Sequence, residues 1–308
     1  MTESRESYRF ESLLRSRIPA LEIKEADYRA LSKARDSLLG AIDIEDNFDS
    51  LIENFFEFEQ EHLRIAVRRT VGGAFVHHSI RQDRLVLARR LTNVLATARA
   101  FVDQVDRTFK YQFPESREVL QVECHTQYDA RFGYRVMEEL RHVVTHKGRG
   151  LQRLYYPHSS RERGVEVRVI AILSSEDLKP LKLKPTVLDE LRRKGPRPIG
   201  ALLRDYLEGL GAIHARARAL SEPSFVEAVE VFRAWIKTGR DRWGKTQPGF
   251  GASCRRSSDV VGHGKRREPD FQVVESFLDV CVAARQKTYR LKNLRRVFVS
   301  SQQDENDE

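Results

Sequence analysis

A chain of 308 residues, 40% hydrophobic and 32% charged, is long enough to bury a core as one large domain or two modest ones, and too apolar to stay disordered. Its 54 Lys and Arg against 45 Asp and Glu give a net charge of +9 and a pI near 9.5, a moderate excess that attracts polyanions or simply solvates the surface. Three cysteines, Cys124, Cys254 and Cys281, are odd in number, far apart and without CxxC spacing, which excludes a disulfide framework or a zinc ribbon and fits a reducing, cytoplasmic setting.

The N-terminal stretch MTESRESYRFESLL lacks an apolar signal core, and no run approaches the ~18 apolar residues of a membrane span. A first helix follows Glu25–Ala26–Asp27 to Leu39, with Tyr28, Leu31, Ala34 and Leu38 on one face and Gly40 as its stop. A second starts near Asn47, turns Leu51, Ile52, Phe55, Phe56 and Phe58 inward, and runs to about Thr70 before Val71–Gly72–Gly73 breaks it. From Asp83 to Phe109, Leu87, Leu91, Val94, Ala98, Phe101 and Val105 recur at spacings of 4, 3, 4, 3 and 4, a heptad-like seam that predicts a long helix packed on at least one other. After a loop at Tyr111–Pro114 comes a short helical stretch around Glu118–Cys124, then a helix over about Ala130–Lys147. There Val136, Met137, Leu140, Val143 and Val144 form one apolar face, and Gly148 and Gly150 supply a stop.

The period then changes. Val165, Val167, Val169, Ala171 and Leu173 alternate with Glu166 and Arg168, which predicts a strand paired with Leu151–Tyr156 across the polar loop His158–Gly164. Helices resume at Thr186–Arg193, Ile199–Ala219 and Ser224–Thr238, with Pro196, Pro198 and Pro223 as starts or breaks. Gly239–Pro269 is rich in Gly, Ser, Arg and Lys and is expected to be a flexible loop or linker. A last helix spans about Asp270–Tyr289, followed by a basic run (Arg290, Lys292, Arg295, Arg296) and an acidic tail, Asp304–Glu308. The expected organisation is a helical domain over 1–240, a basic loop over 241–269 and a C-terminal helix and tail over 270–308.

The segment from Glu138 to Gly148, EELRHVVTHKG, carries the chemistry. At about 100° per residue, Glu138, Arg141, His142, Thr145 and His146 cover the arc left free by the apolar face. Arg141 and His146 lie about 140° apart on that arc, so one copy does not set them side by side, whereas two copies facing each other across a symmetric interface converge on one site. His146 falls in the last turn, where the negative helix end favours the imidazolium. A guanidinium nearby matches phosphate oxygens, and the pair suffices to cleave a ribose–phosphate backbone without metal: His moves a proton at the 2′-hydroxyl or the leaving oxygen while Arg stabilises the anionic phosphate.

The R-x4-H spacing, the polar residue directly after Arg141 and the glycines soon after His146 resemble the motif of the HEPN superfamily. The resemblance spans about residues 45–150 and includes the long helix, loop and motif helix. With the periodicities above, which predict a mainly α fold with a minor β-hairpin and a further helical C-terminal part, it implies a HEPN-like helical bundle. It also implies a homodimeric, cytoplasmic, metal-independent endoribonuclease of a bacterial toxin–antitoxin, stress or phage-defence system, partnered by RNA and by a neutralising antitoxin, with no cofactor and no membrane attachment. In that reading Arg141 and His146 are catalytic, His142 polarises or positions, and Glu138 orients Arg141. The departure is that His142 stands where the related uncharacterised bacterial branch carries Asn. The alternative is a catalytically inactive HEPN-like module that binds RNA or protein, and a plain helical scaffold stays open beside it.

Other motifs are weaker. His142 and His146 have metal-ligand spacing, with Cys124–His125 as further donors, but no Glu follows His142. His77–His78 reads as a helix-entry or surface pair. Gly262–His263–Gly264–Lys265 fails the phosphate-loop spacing and reads as a solvated basic loop. Arg242, Lys245, Arg255, Arg256, Arg266 and Arg267, interleaved with Trp243 and Phe250, suit contact with single-stranded RNA by ion pairing and stacking, or equally a solvated loop.

Overall fold

The computed structural model describes residues 6–14, 18–72, 77–147, 151, 153–161, 164–178, 184–256 and 268–295, and only the backbone of 77–78, 145–147, 158–161, 164–166, 256, 292 and 295. In chain order these form β1 (Glu6–Ser12), β2 (Leu21–Ile23), α1 (Glu25–Gly72), α2 (His77–Gln112), α3 (Arg117–Ala130), α4 (Phe132–Lys147), β3 (Arg153–Tyr155), β4 (His158–Arg161), β5 (Gly164–Val167), β6 (Ile170–Leu173), α5 (Ser175–Leu178), α6 (Pro185–Lys194), β7 (Arg197–Pro198), α7 (Ile199–Trp243), β8 (Phe250–Arg256), β9 (Phe271–Val273) and α8 (Glu275–Gln286). The fold is mainly helical with small antiparallel sheets. Among the described residues no helix is long and apolar enough to cross a membrane. The chain divides into two compact units, one of Met1–Glu45, Tyr111–Phe113 and Arg218–Thr288, the other of Asp46–Lys110, Pro114–Ala217 and Tyr289–Glu308.

In the second unit the seam of α2 is the organising stripe. Leu87, Leu91, Val94, Ala98, Phe101 and Val105 are all buried, as are Leu51, Ile52, Phe55 and Phe58 of α1 and Val136, Met137, Leu140 and Val143 of α4. Each fully buried side chain of this size contributes about 1.5–3 kcal/mol over its exposed state. Phe56, expected inside, is exposed on the outer side of α1. At the other end of the stripe, Asp83 is 1% exposed in the second turn of α2. Its carboxylate takes Arg69 Nε at 2.8 Å and the Tyr156 hydroxyl at 3.0 Å, and pairs with Arg68 as well. Arg69 also donates to Ser79 Oγ at 2.7 Å. The last turns of α1, the first turns of α2 and the chain after β3 are thus joined by one buried charge cluster.

The expected single strand over 165–173 is two. Val167, Val169, Ala171 and Leu173 do alternate inward, but β5 and β6 are separate. β6 pairs with β3 (Leu154↔Ala171) and with β7 (Ile172↔Pro198), while β5 turns to pair with β4, which occupies the segment expected as a polar loop. Arg168 N–H donates to the Pro157 carbonyl at the point where the two pairs part.

The first unit holds a sheet that sequence periodicity does not announce, in order β2-β1-β8-β9, all antiparallel. β1 and β8 pair over seven positions, from Glu6↔Arg256 to Ser12↔Phe250. Phe10 meets Trp235, Trp243 and Phe250 at ring-centroid distances of 4.9, 5.9 and 5.5 Å, in a core shared with Leu31, Leu38, Phe225 and Phe232. The expected loop over 241–269 therefore contains a central strand, and β9 takes the start of the expected last helix.

Two expected breaks are absent. α1 is one helix of 48 residues, and Gly40 lies buried inside it. A helical glycine costs only about 1 kcal/mol; here it admits the Gln112 side chain, which any Cβ would overlap. α7 is likewise one helix of 45 residues with Pro223 inside. Proline removes one ladder donor, and next to it the Arg218 carbonyl accepts from Arg285 Nη2 at 3.2 Å and from Ser221 Oγ at 3.3 Å. Arg285 is itself held by Glu45 at 2.8 Å.

Two stability predictions follow from the buried charges. Asp83→Ala strands the Arg69 guanidinium, 5% exposed, and is expected to cost about 3–5 kcal/mol in urea unfolding, the usual penalty for breaking a buried pair. His62 is buried, with Nδ1 3.2 Å from the Phe58 carbonyl, and burial, with Arg204 also nearby, holds its pKa below the ordinary 6.5 against the opposing pull of Glu59 and Glu61. The folded chain keeps this ring neutral, whereas an unfolded chain protonates it near pH 6.5, so its contribution is full above that pH and is lost as pH falls below it. Stability should drop by up to about 1.4 kcal/mol per pH unit below 6.5, and urea titrations of His62→Phe at pH 7.5, 6.5 and 5.5 should show that slope removed.

Candidate functional site

The corner between α3 and α4 is fixed from α7. Arg131 reaches Asp205 at 3.0 Å and Glu208 at 3.1 Å, and the Gly133 N–H donates to the same Asp205 carboxylate at 2.7 Å. Position 133 has no room for a side chain, since a Cβ would lie 2.4 Å from the Leu202 carbonyl oxygen. Arg135 closes the corner from the other side, donating to the Tyr128 carbonyl at 3.0 Å and pairing with Glu190 at 2.8 Å.

α4 then presents its polar arc to a cleft of about 670 Å³. The walls are Arg99 and Val102 of α2, Cys124, His125 and Tyr128 of α3, Tyr134, Glu138, Glu139, Arg141 and His142 of α4, and Lys184 ahead of α6. Arg141 stands on Glu138, with Nη2 and Nε 3.2 and 3.3 Å from Oε2, and both side chains are only partly exposed, 24% and 18%. The other oxygen, Glu138 Oε1, accepts the Tyr206 hydroxyl at 2.5 Å. Tyr206 is fully buried; burial first, and then the Glu138 charge, hold its phenol well above the ordinary range, so it stays a donor. Tyr134 packs edge-on to the Tyr206 ring at 4.8 Å, and burial raises its pKa too.

On the opposite side, the Lys184 ammonium donates to the Tyr128 hydroxyl at 2.9 Å and lies 4.9 Å from that ring, and its backbone N–H donates to Glu139 at 3.3 Å. The bond to Tyr128 holds the ammonium above its usual pKa. Arg99 pairs with Asp103 along α2. The cleft thus combines three cations, two exposed histidines and two tyrosines with the carboxylates of Glu138 and Glu139, a donor-rich surface suited to a phosphate or another anion.

Of the sequence-derived site residues, Glu138, Arg141 and His142 share this wall. His146 lies in the last turn of α4, but its side chain falls outside the described residues, as do those of His77 and His78. Of the cations expected to hold RNA, Arg242, Lys245 and Arg255 belong to the first unit. Arg242 and Lys245 are exposed; Arg242 donates to the Pro19 carbonyl at 3.2 Å and sits over the Trp243 ring at 5.3 Å. Arg255 lies half-buried in β8, 3.7 Å from Glu11. The side chain of Arg256, all of Arg266 and Arg267, and the Gly262–Lys265 motif are outside the described residues. Trp243 and Phe250, expected as stacking platforms, are 7% and 1% exposed in the core of the first unit, so they offer no ring face to a base.

Sequence reasoning missed Tyr206, Tyr128, Lys184 and Arg99. Tyr206 reads as one more apolar-face residue of α7, and nothing local says that its hydroxyl meets Glu138. Cys124 and His125, weighed as metal donors, line the cleft instead. Among the described residues no group of three or more His, Cys, Asp or Glu is placed to hold a metal ion.

Burial, with Glu123 and Asp106 adding to it, pushes the Cys124 thiol up to about 11 from an ordinary 9.0. Two pH units of displacement leave about one-hundredth of the usual thiolate at pH 8. Cys124 should therefore be alkylated by iodoacetamide roughly a hundredfold more slowly than a free peptide thiol, which peptide mass spectrometry of timed samples would measure. Comparison of the chain with protein-family models, with curated proteins and with solved structures returns no match.

Proposed function

We propose that this chain is a metal-independent endoribonuclease of a bacterial toxin, stress or phage-defence system, working as a symmetric homodimer. The observation that carries the reading is the wall of α4, where Arg141, oriented by Glu138, lines a cation-rich cleft beside the exposed His142. The chemistry is cleavage by the RNA's own 2′-hydroxyl. That oxygen attacks phosphorus while a neutral imidazole takes its proton, and the P–O5′ bond breaks as an imidazolium protonates the leaving oxygen. The products are a 2′,3′-cyclic phosphate and a 5′-hydroxyl end. His146 of one subunit and His146 of the partner subunit fill the two proton-transfer roles. The Arg141 guanidinium stabilises the phosphorane-like transition state, in which negative charge builds on the non-bridging oxygens. His142 positions or polarises the phosphate. Arg242, Lys245, Arg255, Arg256, Arg266 and Arg267 hold the strand electrostatically, and a neutralising antitoxin is the expected protein partner.

A second reading, an inactive module that binds RNA, draws on the same ion pair, because Glu138 already engages the guanidinium that phosphate needs. The two separate in one experiment. Total RNA and tRNA are incubated in EDTA with the wild type, Arg141→Ala and His146→Ala. Cleavage by the wild type alone, leaving 2′,3′-cyclic phosphate ends, with each variant down at least a hundredfold, supports the enzyme. Uncut RNA that is bound with steep salt dependence, unaffected by His146→Ala, supports the binding module instead.

A further inference from the structure

We infer that Tyr206 is a positioning residue for Arg141, acting from the core of the second unit through Glu138: its hydroxyl fixes one carboxylate oxygen so that the other presents the guanidinium to the cleft. The inference rests on the proposed function only for the meaning of the site, since the arrangement itself is a matter of geometry.

Tyr206 is fully buried on α7, and its hydroxyl donates to Glu138 Oε1 at 2.5 Å. A carboxylate on an exposed helix face samples several rotamers, and an i,i+3 ion pair there is weak and averaged. Glu138 differs because a charge-assisted bond from an immobile phenol ties one oxygen down, leaving Oε2 aimed at Nε and Nη2 of Arg141 together. Tyr134, edge-on to Tyr206 at 88°, and the Asp205 brace to Gly133 one residue away on α7 keep α4 and α7 in step, so the phenol and the carboxylate stay aligned.

Arg141 is thereby held in place at the cleft wall, where a phosphate can meet a guanidinium that is already oriented.

Tyr206→Phe removes the hydroxyl and keeps the ring. The readout is the Arg141 Nε–Hε resonance in protein labelled with 15N-arginine, assigned by its loss in Arg141→Lys, with and without inorganic phosphate. In the wild type this resonance should be resolved from those of averaged surface arginines and should move on titration with phosphate. In Tyr206→Phe it should collapse toward the averaged position, with apparent phosphate affinity several-fold weaker and the circular-dichroism spectrum unchanged. An unmoved resonance and unchanged phosphate titration in a folded Tyr206→Phe would overturn the inference, leaving Tyr206 as core only. If Tyr206→Phe does not fold, the wild type serves: the Tyr206 hydroxyl proton, shielded and bonded to Glu138 Oε1, should give a slowly exchanging low-field resonance that moves with the Arg141 Nε–Hε resonance on phosphate titration. Coupled movement supports the relay, and a hydroxyl resonance that is missing or unmoved by phosphate overturns it. RNA cleavage enters none of these readouts, so a protein that leaves RNA uncut but shows the Arg141 shift would remove the ribonuclease reading and keep this one.

Discussion

The carboxylate of Asp83 is the constraint on which the second unit depends. A lone carboxylate in a protein interior costs many kcal/mol, so its burial in α2 is tolerable only if partners arrive together. Arg69 from the end of α1, Arg68 beside it and Tyr156 from the chain after β3 all converge there. Three stretches of sequence are thereby brought to one point with little freedom in register. α2 carries that register onward: Arg99 sits sixteen residues later, roughly 24 Å along the helix axis, where it forms one wall of the cleft.

A second brace acts from α7. Asp205 takes both the Arg131 guanidinium and the Gly133 N–H, a neutral-plus-charged donor pair that pins the α3–α4 corner. One residue along, Tyr206 reaches Glu138. The two faces of α4 thus differ by a simple asymmetry. Met137 and Leu140 turn inward and are fully buried, while Glu138, Arg141 and His142, from the same two turns, line the cleft. Neighbouring residues on one helix differ because one side of it is buried and the other lines the cleft.

The elements that were legible in the sequence are those whose signal is local. The α2 seam, the apolar face of α4 and the inward alternation from Val167 to Leu173 are periodicities of 3.5, 3.6 and 2 residues, and side-chain burial follows each of them. The misread positions are those where a local propensity is overruled by a neighbour distant in sequence. Gly40 reads as a stop but is the space that Gln112 needs. Pro223 reads as a break, yet α7 continues through it beside side chains that bond to the nearby Arg218 carbonyl. The segment carrying Phe250–Arg256 reads as a loop from its Gly, Ser and Arg content, and becomes a strand because β1, some 240 residues earlier, supplies seven positions of backbone pairing.

The sequence by itself determined the helical character of the chain, the inner faces of its long helices and the group Glu138, Arg141 and His142 on one polar arc, because hydrogen bonds closed within four residues and side chains repeating every turn are properties of a segment alone. Only the tertiary structure decided that Trp243 and Phe250 are core instead of stacking surface, that Lys184, Tyr128 and Arg99 face that arc across one cleft, and that a buried phenol holds Glu138. Those outcomes depend on which groups lose water together, and desolvation is shared between segments that no local pattern connects.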